Sequence, residues 1–200
     1  MPAVPRITLL ALAVLPCACR GFEPPRPETL AAIRPMPLAP RLPGRFELEF
    51  VSPALTGTFD GVSAAVGKGF QLQLFPDVGG KVLDLAVDEG RLVHADTPGG
   101  PAEPRFAAVL AAMFAELHAA VSRERVRGER TSSDGATEVE LAPAFAVGTV
   151  VARLSADGAI TSYAFDQGAV EFEFRADGCL VGNGFSGQLR LPAPRTGGTP

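Results

Sequence analysis

The sequence predicts an α+β domain: a curved antiparallel sheet, an open or half β-barrel of about nine to ten strands, with one main helix as its lid. Three observations predict it. Short runs before residue 95 and after residue 136 alternate apolar and polar side chains, the period of half-buried strands. One stretch, about 103 to 125, places apolar residues at helical spacing. Pro- and Gly-rich turns separate the runs. A helix inserted between two strand blocks packs on one face of the sheet, and a sheet of this many twisted strands tends to curl.

The chain opens with MPAVPR, followed by the nine-residue apolar run ITLLALAVL and then PCAC. A charged start, a short apolar core and small residues at its end describe a secretory signal peptide over residues 1–18. The run is far short of the roughly 20 residues that span a bilayer. Leu15-Pro16-Cys17-Ala18-Cys19 resembles a bacterial lipobox, with small Ala18 before the cysteine. That resemblance makes Cys19 the lipidated mature N-terminus. Arg20 after it, a non-acidic residue, implies outer-membrane delivery. Cleavage there removes one charge, Arg6, and leaves Cys179 as the one unlipidated thiol, so no internal disulfide can form.

Residues 20–44 hold seven prolines and four arginines, the composition of a semi-rigid linker. Residues 19–44 are therefore expected to be a Pro-rich tether, holding the domain some tens of Å from a membrane. Glu28–Arg34 fits a short helix, with Pro27 near its first position. The domain itself is expected over 45–191. Phe46, Leu48 and Phe50 share a face against Arg45, Glu47 and Glu49; Phe70, Leu72 and Leu74 do so against Gln71 and Gln73; Leu83, Leu85 and Val87 do so against Asp84 and Asp88. A strand over 54–66 is weakened by Gly57 and Gly61. Pro76 to Gly80 is a turn, and Glu89-Gly90 is the next.

The helix stripe is Phe106, Val109, Leu110, Met113, Phe114, Leu117 and Val121, with alanines between. Arg127 to Ala136 is expected to be a polar loop. The second block contains TEVEL, TVVARLS, AITSYAFD and AVEFEFRAD, a hairpin turn at Asp177-Gly178, and a final strand near Gly187–Leu191. Residues 192–200 read as a flexible tail.

Several function classes lose support here. Net charge is −4, with no basic block, Trp is absent and Tyr occurs once, so nucleic-acid binding has neither an electrostatic footprint nor stacking platforms. Gly182-Asn-Gly184-Phe-Ser-Gly187 matches a dinucleotide fingerprint, but no βαβ unit fits in the residues that follow, and the stretch reads as a glycine-rich hairpin. The two histidines and one mature thiol are too widely spaced for a zinc site. No serine sits in a hydrolase elbow, because Gly187 directly follows Ser186. His118 is expected to be solvated. The reading is a non-enzymatic protein without cofactor or metal.

GRFELEF (44–50) and GFQLQLFPDVGGKVLDLAVDEGRLV (69–93) resemble the lipoprotein-sorting proteins of Gram-negative bacteria, in particular the LolB-type outer-membrane receptors. The resemblance implies an open barrel whose cavity binds acyl chains of lipoproteins or another lipid and transfers them at the periplasmic face of the outer membrane. A lipid anchor and a periplasmic carrier protein would be its partners. It implies that Phe46, Leu48, Phe50, Phe70, Leu72, Leu74, Leu83 and Leu85 line the cavity from the sheet, and that Phe106, Leu110, Met113, Phe114 and Leu117 line it from the helix. It also implies a membrane-contact loop, with Pro76 and Val78 in the matching turn; Asp77 beside a small valine departs from the family there. The alternative is a structural or assembly lipoprotein with a filled core that binds a protein partner. A continuous apolar cavity of several hundred Å³ separates the first reading from the second.

Overall fold

The computed structural model describes residues 21–53, 55–145, 148–166 and 171–192. Its centre is one antiparallel sheet of 13 strands. The strands are β1 (Gly44–Val51), β2 (Thr56–Val66), β3 (Gly69–Pro76), β4 (Leu83–Asp88), β5 (Arg91–Thr97), β6 (Gly100–Pro101), β7 (Val126–Thr131), β8 (Thr137–Leu141), β9 (Thr149–Leu154), β10 (Ile160–Asp166), β11 (Glu171–Arg175), β12 (Cys179–Gly182) and β13 (Phe185–Arg190). The helices are α1 (Pro27–Ala32) and α2 (Pro104–His118). The expectation of nine to ten strands under a helical lid is corrected on both counts. β6, β7 and β12 are additional strands, and α2 is enclosed rather than laid over a mouth.

The strand order is β6-β5-β4-β3-β2-β1-β13-β12-β11-β10-β9-β8-β7. Strands consecutive in sequence pair, apart from β6 and β7, which are the two edges, and the two halves join where β1 pairs with β13 in the middle, Leu48 opposite Leu189. α2 connects the two edge strands, β6 and β7. Alternation set the register as expected: Phe70, Leu72 and Leu74 stand opposite Val87, Leu85 and Leu83, and all six are buried.

Glu103 caps α2, its carboxylate accepting from the backbone N–H of Arg105 (3.0 Å) and Phe106 (2.6 Å), with Pro104 at the first position. Eleven of the helix's 15 residues are buried, which is the behaviour of a helix apolar on most sides. Ala107, Ala111, Ala112 and Ala115 keep its girth small and let the sheet approach. The helix ends at His118, short of the expected 125. An ion pair explains the early exit. Glu116 and Arg125 meet through both carboxylate oxygens at 2.8 and 2.6 Å, whereas nine helical residues would separate them by about 13.5 Å along the axis.

The Pro-rich segment is not a free tether over residues 21–43. Glu23 and Glu129 exchange backbone hydrogen bonds of 2.8 Å each way, adding to the β7 edge. The Glu129 carboxylate, itself buried, accepts from the backbone N–H of Arg26 at 3.0 Å and pairs with its guanidinium. Arg34 bridges to Gly158 and Ile160 beside the β9–β10 turn. Met36 and Leu42 are buried in the main core. The segment runs from the β7 edge past the β9–β10 turn to β1, with α1 as its one helical turn and a half. Among the described residues no helix is long and apolar enough to cross a membrane.

Candidate functional site

All thirteen residues expected to line a cavity are buried, and they fall in one core. They meet each other instead of standing apart. The Phe46 and Phe114 rings are 5.0 Å apart, Phe50 and Phe106 4.8 Å, and Phe70 and Phe114 6.2 Å. Gly61 makes the first contact possible: a Cβ there would lie 2.1 Å from the Phe46 ring. The space between β1 to β4 and α2 is filled at Phe46, Phe70 and Phe114.

One end of this aromatic layer is open. Phe50, Ser52, Pro53, Glu103, Arg105, Phe106, Val109, Gly184 and Phe185 surround an apolar pocket of about 220 Å³. The β1–β2 turn, the first turns of α2 and the β12–β13 hairpin form its walls. Phe185 stacks on Phe50 at 5.6 Å, and Gly182 gives its ring room, since a Cβ there would come within 2.2 Å. Arg105 stands at the rim and donates to the Asn183 carbonyl. Phe50 and Phe106 were among the expected cavity residues; Val109 and Phe185 were not. The signal for Phe185 was the glycine-rich stretch itself, which forms the β12–β13 hairpin.

The turn expected to contact a membrane carries Val78 in the open, 90% exposed, while Pro76 ends β3 half-buried. Pro76 pairs with Phe59 and Val51 with Thr56, so this turn lies at the same end of the sheet as the pocket. Cys19 lies outside the described residues.

Other polar groups resolve as structure. Glu116 is buried and also accepts from the Ala144 backbone N–H at 2.6 Å, while Arg125 donates to the Ala142 carbonyl at 2.8 Å. Tyr163 lies close to this pair, and burial pushes its hydroxyl pKa up. His118 is half-buried, not solvated: its ring stacks on Phe70 at 5.2 Å. Its Nε2 is buried without a hydrogen-bond partner among the described residues, and burial pushes its pKa down. Cys179 is half-buried and free. Among the described residues, no three His, Cys, Asp or Glu side chains gather as a metal site.

On the outer face, Asp84 accepts from Gln71 at 3.0 Å, pairs with Lys81 and has His94 Nε2 at 3.5 Å. Burial pushes the Asp84 pKa up, but Lys81, Gln71 and His94 outweigh it and hold it at about 2. A depressed folded-state pKa contributes stability above the unfolded value near ~4 and loses it as pH falls toward ~2. Urea midpoints measured from pH 6 to pH 2.5 should therefore fall less steeply for Asp84→Asn than for the parent chain.

No family model matches the chain, and no curated protein matches it either.

Proposed function

We propose that this is a non-enzymatic envelope lipoprotein, anchored through Cys19 at the periplasmic face of the outer membrane, that takes the end of an acyl chain in the pocket between the β1–β2 turn, α2 and the β12–β13 hairpin. The observation that carries this reading is the pocket: it is lined mainly by Phe50, Phe106, Val109 and Phe185, and it opens beside the charged rim of Glu103 and Arg105. Burying methylenes there would contribute about 0.8 kcal/mol each. Its volume is below the ~300–1,000 Å³ of usual ligand sites, so it holds part of one tail and not a whole lipid. The resemblance of residues 44–50 and 69–93 to the lipoprotein-sorting receptors agrees with an acyl-chain client, a lipoprotein's or another lipid's.

Val109→Phe projects a ring into the pocket from a helix position. Binding of a fluorescent C16 fatty acid should weaken at least about ten-fold, ~1.4 kcal/mol, with the melting temperature near that of the parent. Parent-like binding by this variant would move the site elsewhere. Mass spectrometry of the purified lipoprotein should also find retained lipid besides the anchor.

A second reading has its own observation. The close Phe46–Phe114 packing and the enclosed α2 suit an assembly protein with a filled core that binds a protein partner. Absence of both retained lipid and fatty-acid binding would favour it.

A further inference from the structure

We propose that the pocket between the β1–β2 turn, α2 and the β12–β13 hairpin selects a single acyl tail of medium length with an anionic head, and that Arg105 holds the head. The inference rests on the reading of this pocket as an acyl site and adds the chemistry of what stands at its mouth. The pocket is short. It encloses about 220 Å³ beside Phe50, Phe106, Val109 and Phe185, and further along α2 the Phe46–Phe114 contact fills the core. A tail short enough to fit brings its head to the rim. A C16 tail, of which the pocket holds only part, carries its head beyond the rim.

The side chains at the mouth decide what that head can be. Three of them are polar: Ser52, Glu103 and Arg105. The Ser52 hydroxyl donates to the Leu55 carbonyl at 3.1 Å and accepts from the Leu55 N–H at 3.0 Å, so its one proton is already engaged. The Glu103 carboxylate has no proton to give, and both its oxygens accept from backbone N–H groups of α2. Arg105 is different. Its Nη2 donates to the Asn183 carbonyl, and the guanidinium makes no ion pair among the described residues, so most of its five N–H donors remain for a ligand. Its charge does nothing for the helix, because a cation in the first turn opposes the dipole. The Asn183 bond instead holds the guanidinium between α2 and the β12–β13 hairpin, at the rim of the pocket. A planar fork in that place suits a carboxylate or a phosphate, which takes two of its N–H bonds at once. A cationic head would meet Arg105 and the positive end of α2, with only Glu103 in its favour. A neutral hydroxyl head would gain a hydrogen bond without the charge.

The test is displacement of the fluorescent C16 fatty acid from the full chain by decanoate, decyl phosphate, decanol and decylamine. The tails are identical, so differences report the head. At least one of the two anions should bind about five-fold tighter than decanol, the upper range for an exposed charge pair, and the advantage should shrink in high salt. The tighter anion names the source of the head, a fatty acid or a phosphorylated lipid. In Arg105→Gln the preference over decanol should fall to about one-fold, and Arg105→Lys, which keeps the charge without the fork, should retain part of it. Palmitate should lose less than the decyl anion does on Arg105→Gln. Decanol or decylamine binding as tightly as both anions, or a preference unmoved in Arg105→Gln, overturns the head assignment. Palmitate losing as much as the decyl anion overturns the length limit. The acyl reading of the pocket fails separately, if the probe and the decyl compounds bind Val109→Phe as they bind the parent. Circular dichroism checks that each variant is folded, and the comparison of heads on the parent chain stands without any variant.

Discussion

Arg125→Ala is expected to lower stability by about 3–5 kcal/mol, because it leaves the Glu116 carboxylate buried without its cation. Glu116 has 1% of its side chain exposed and Arg125 18%. The pair closes the loop between α2 and β7, and it also holds the Ala142–Ala144 segment after β8 through the Ala142 carbonyl and the Ala144 N–H. Urea unfolding should show a lower midpoint at an unchanged slope. The double variant Glu116→Leu with Arg125→Met removes both charges and should regain part of the loss, since apolar replacements of buried pairs are often tolerated. The regain stays partial because those two backbone groups lose their partners. A single variant within about 0.5 kcal/mol of the parent, the range of ordinary surface changes, would show that the pair is solvated in solution.

Phe114→Ala should cost a similar amount, about 3–5 kcal/mol. Phe114 is fully buried and is the ring that joins the helix to two strands, with Phe46 at 5.0 Å on β1 and Phe70 at 6.2 Å on β3. Removing it leaves a void among groups fixed by sheet register, which cannot collapse freely. Phe114→Leu keeps most of the volume and should lose much less. The comparison also separates the two readings of the core. If Phe114 stood at the wall of a roomy acyl cavity in solution, its truncation would be nearly neutral.

The residues made the strands legible wherever alternation ran unbroken, as in β1, β3, β4 and β11. The three strands not foreseen each break that pattern for a local reason. β6 is two residues ending in proline. β12 has four residues and ends in Gly182. β7 reads VRGERT, and its Glu129 is buried because Arg26 and Thr29 satisfy it from the N-terminal segment, a partner about a hundred residues away that no period reveals. The same long-range contact explains why seven prolines looked like a tether. The bridges at Glu23 and Arg34 and the buried Met36 and Leu42 fasten the segment, and none of them has a periodic signature. The helix stripe was legible through Leu117, but Ala119 and Ala120 are good helix formers, and the Glu116–Arg125 pair, which a continued helix could not make, has no periodic signature. Of the candidate site, Phe50 and Phe106 were visible in advance as apolar positions on their elements. Phe185 was hidden among glycines, where its role depends on the hairpin that Gly182 allows.

The pairing of β1 with β13 has a consequence for how the protein is made. The middle of the sheet is a seam between residues 47–51 and 186–190, so its last strand is the last to be synthesised. Until then Phe46, Leu48 and Phe50 have a neighbour on one side alone. Contacts so distant in sequence make folding slow, in the millisecond-to-second range of sheet proteins with non-local pairing. The two halves of the sheet cannot join until that final strand arrives. Loss of residues 185–190 would then divide the sheet at its centre, where most C-terminal deletions would only trim an edge.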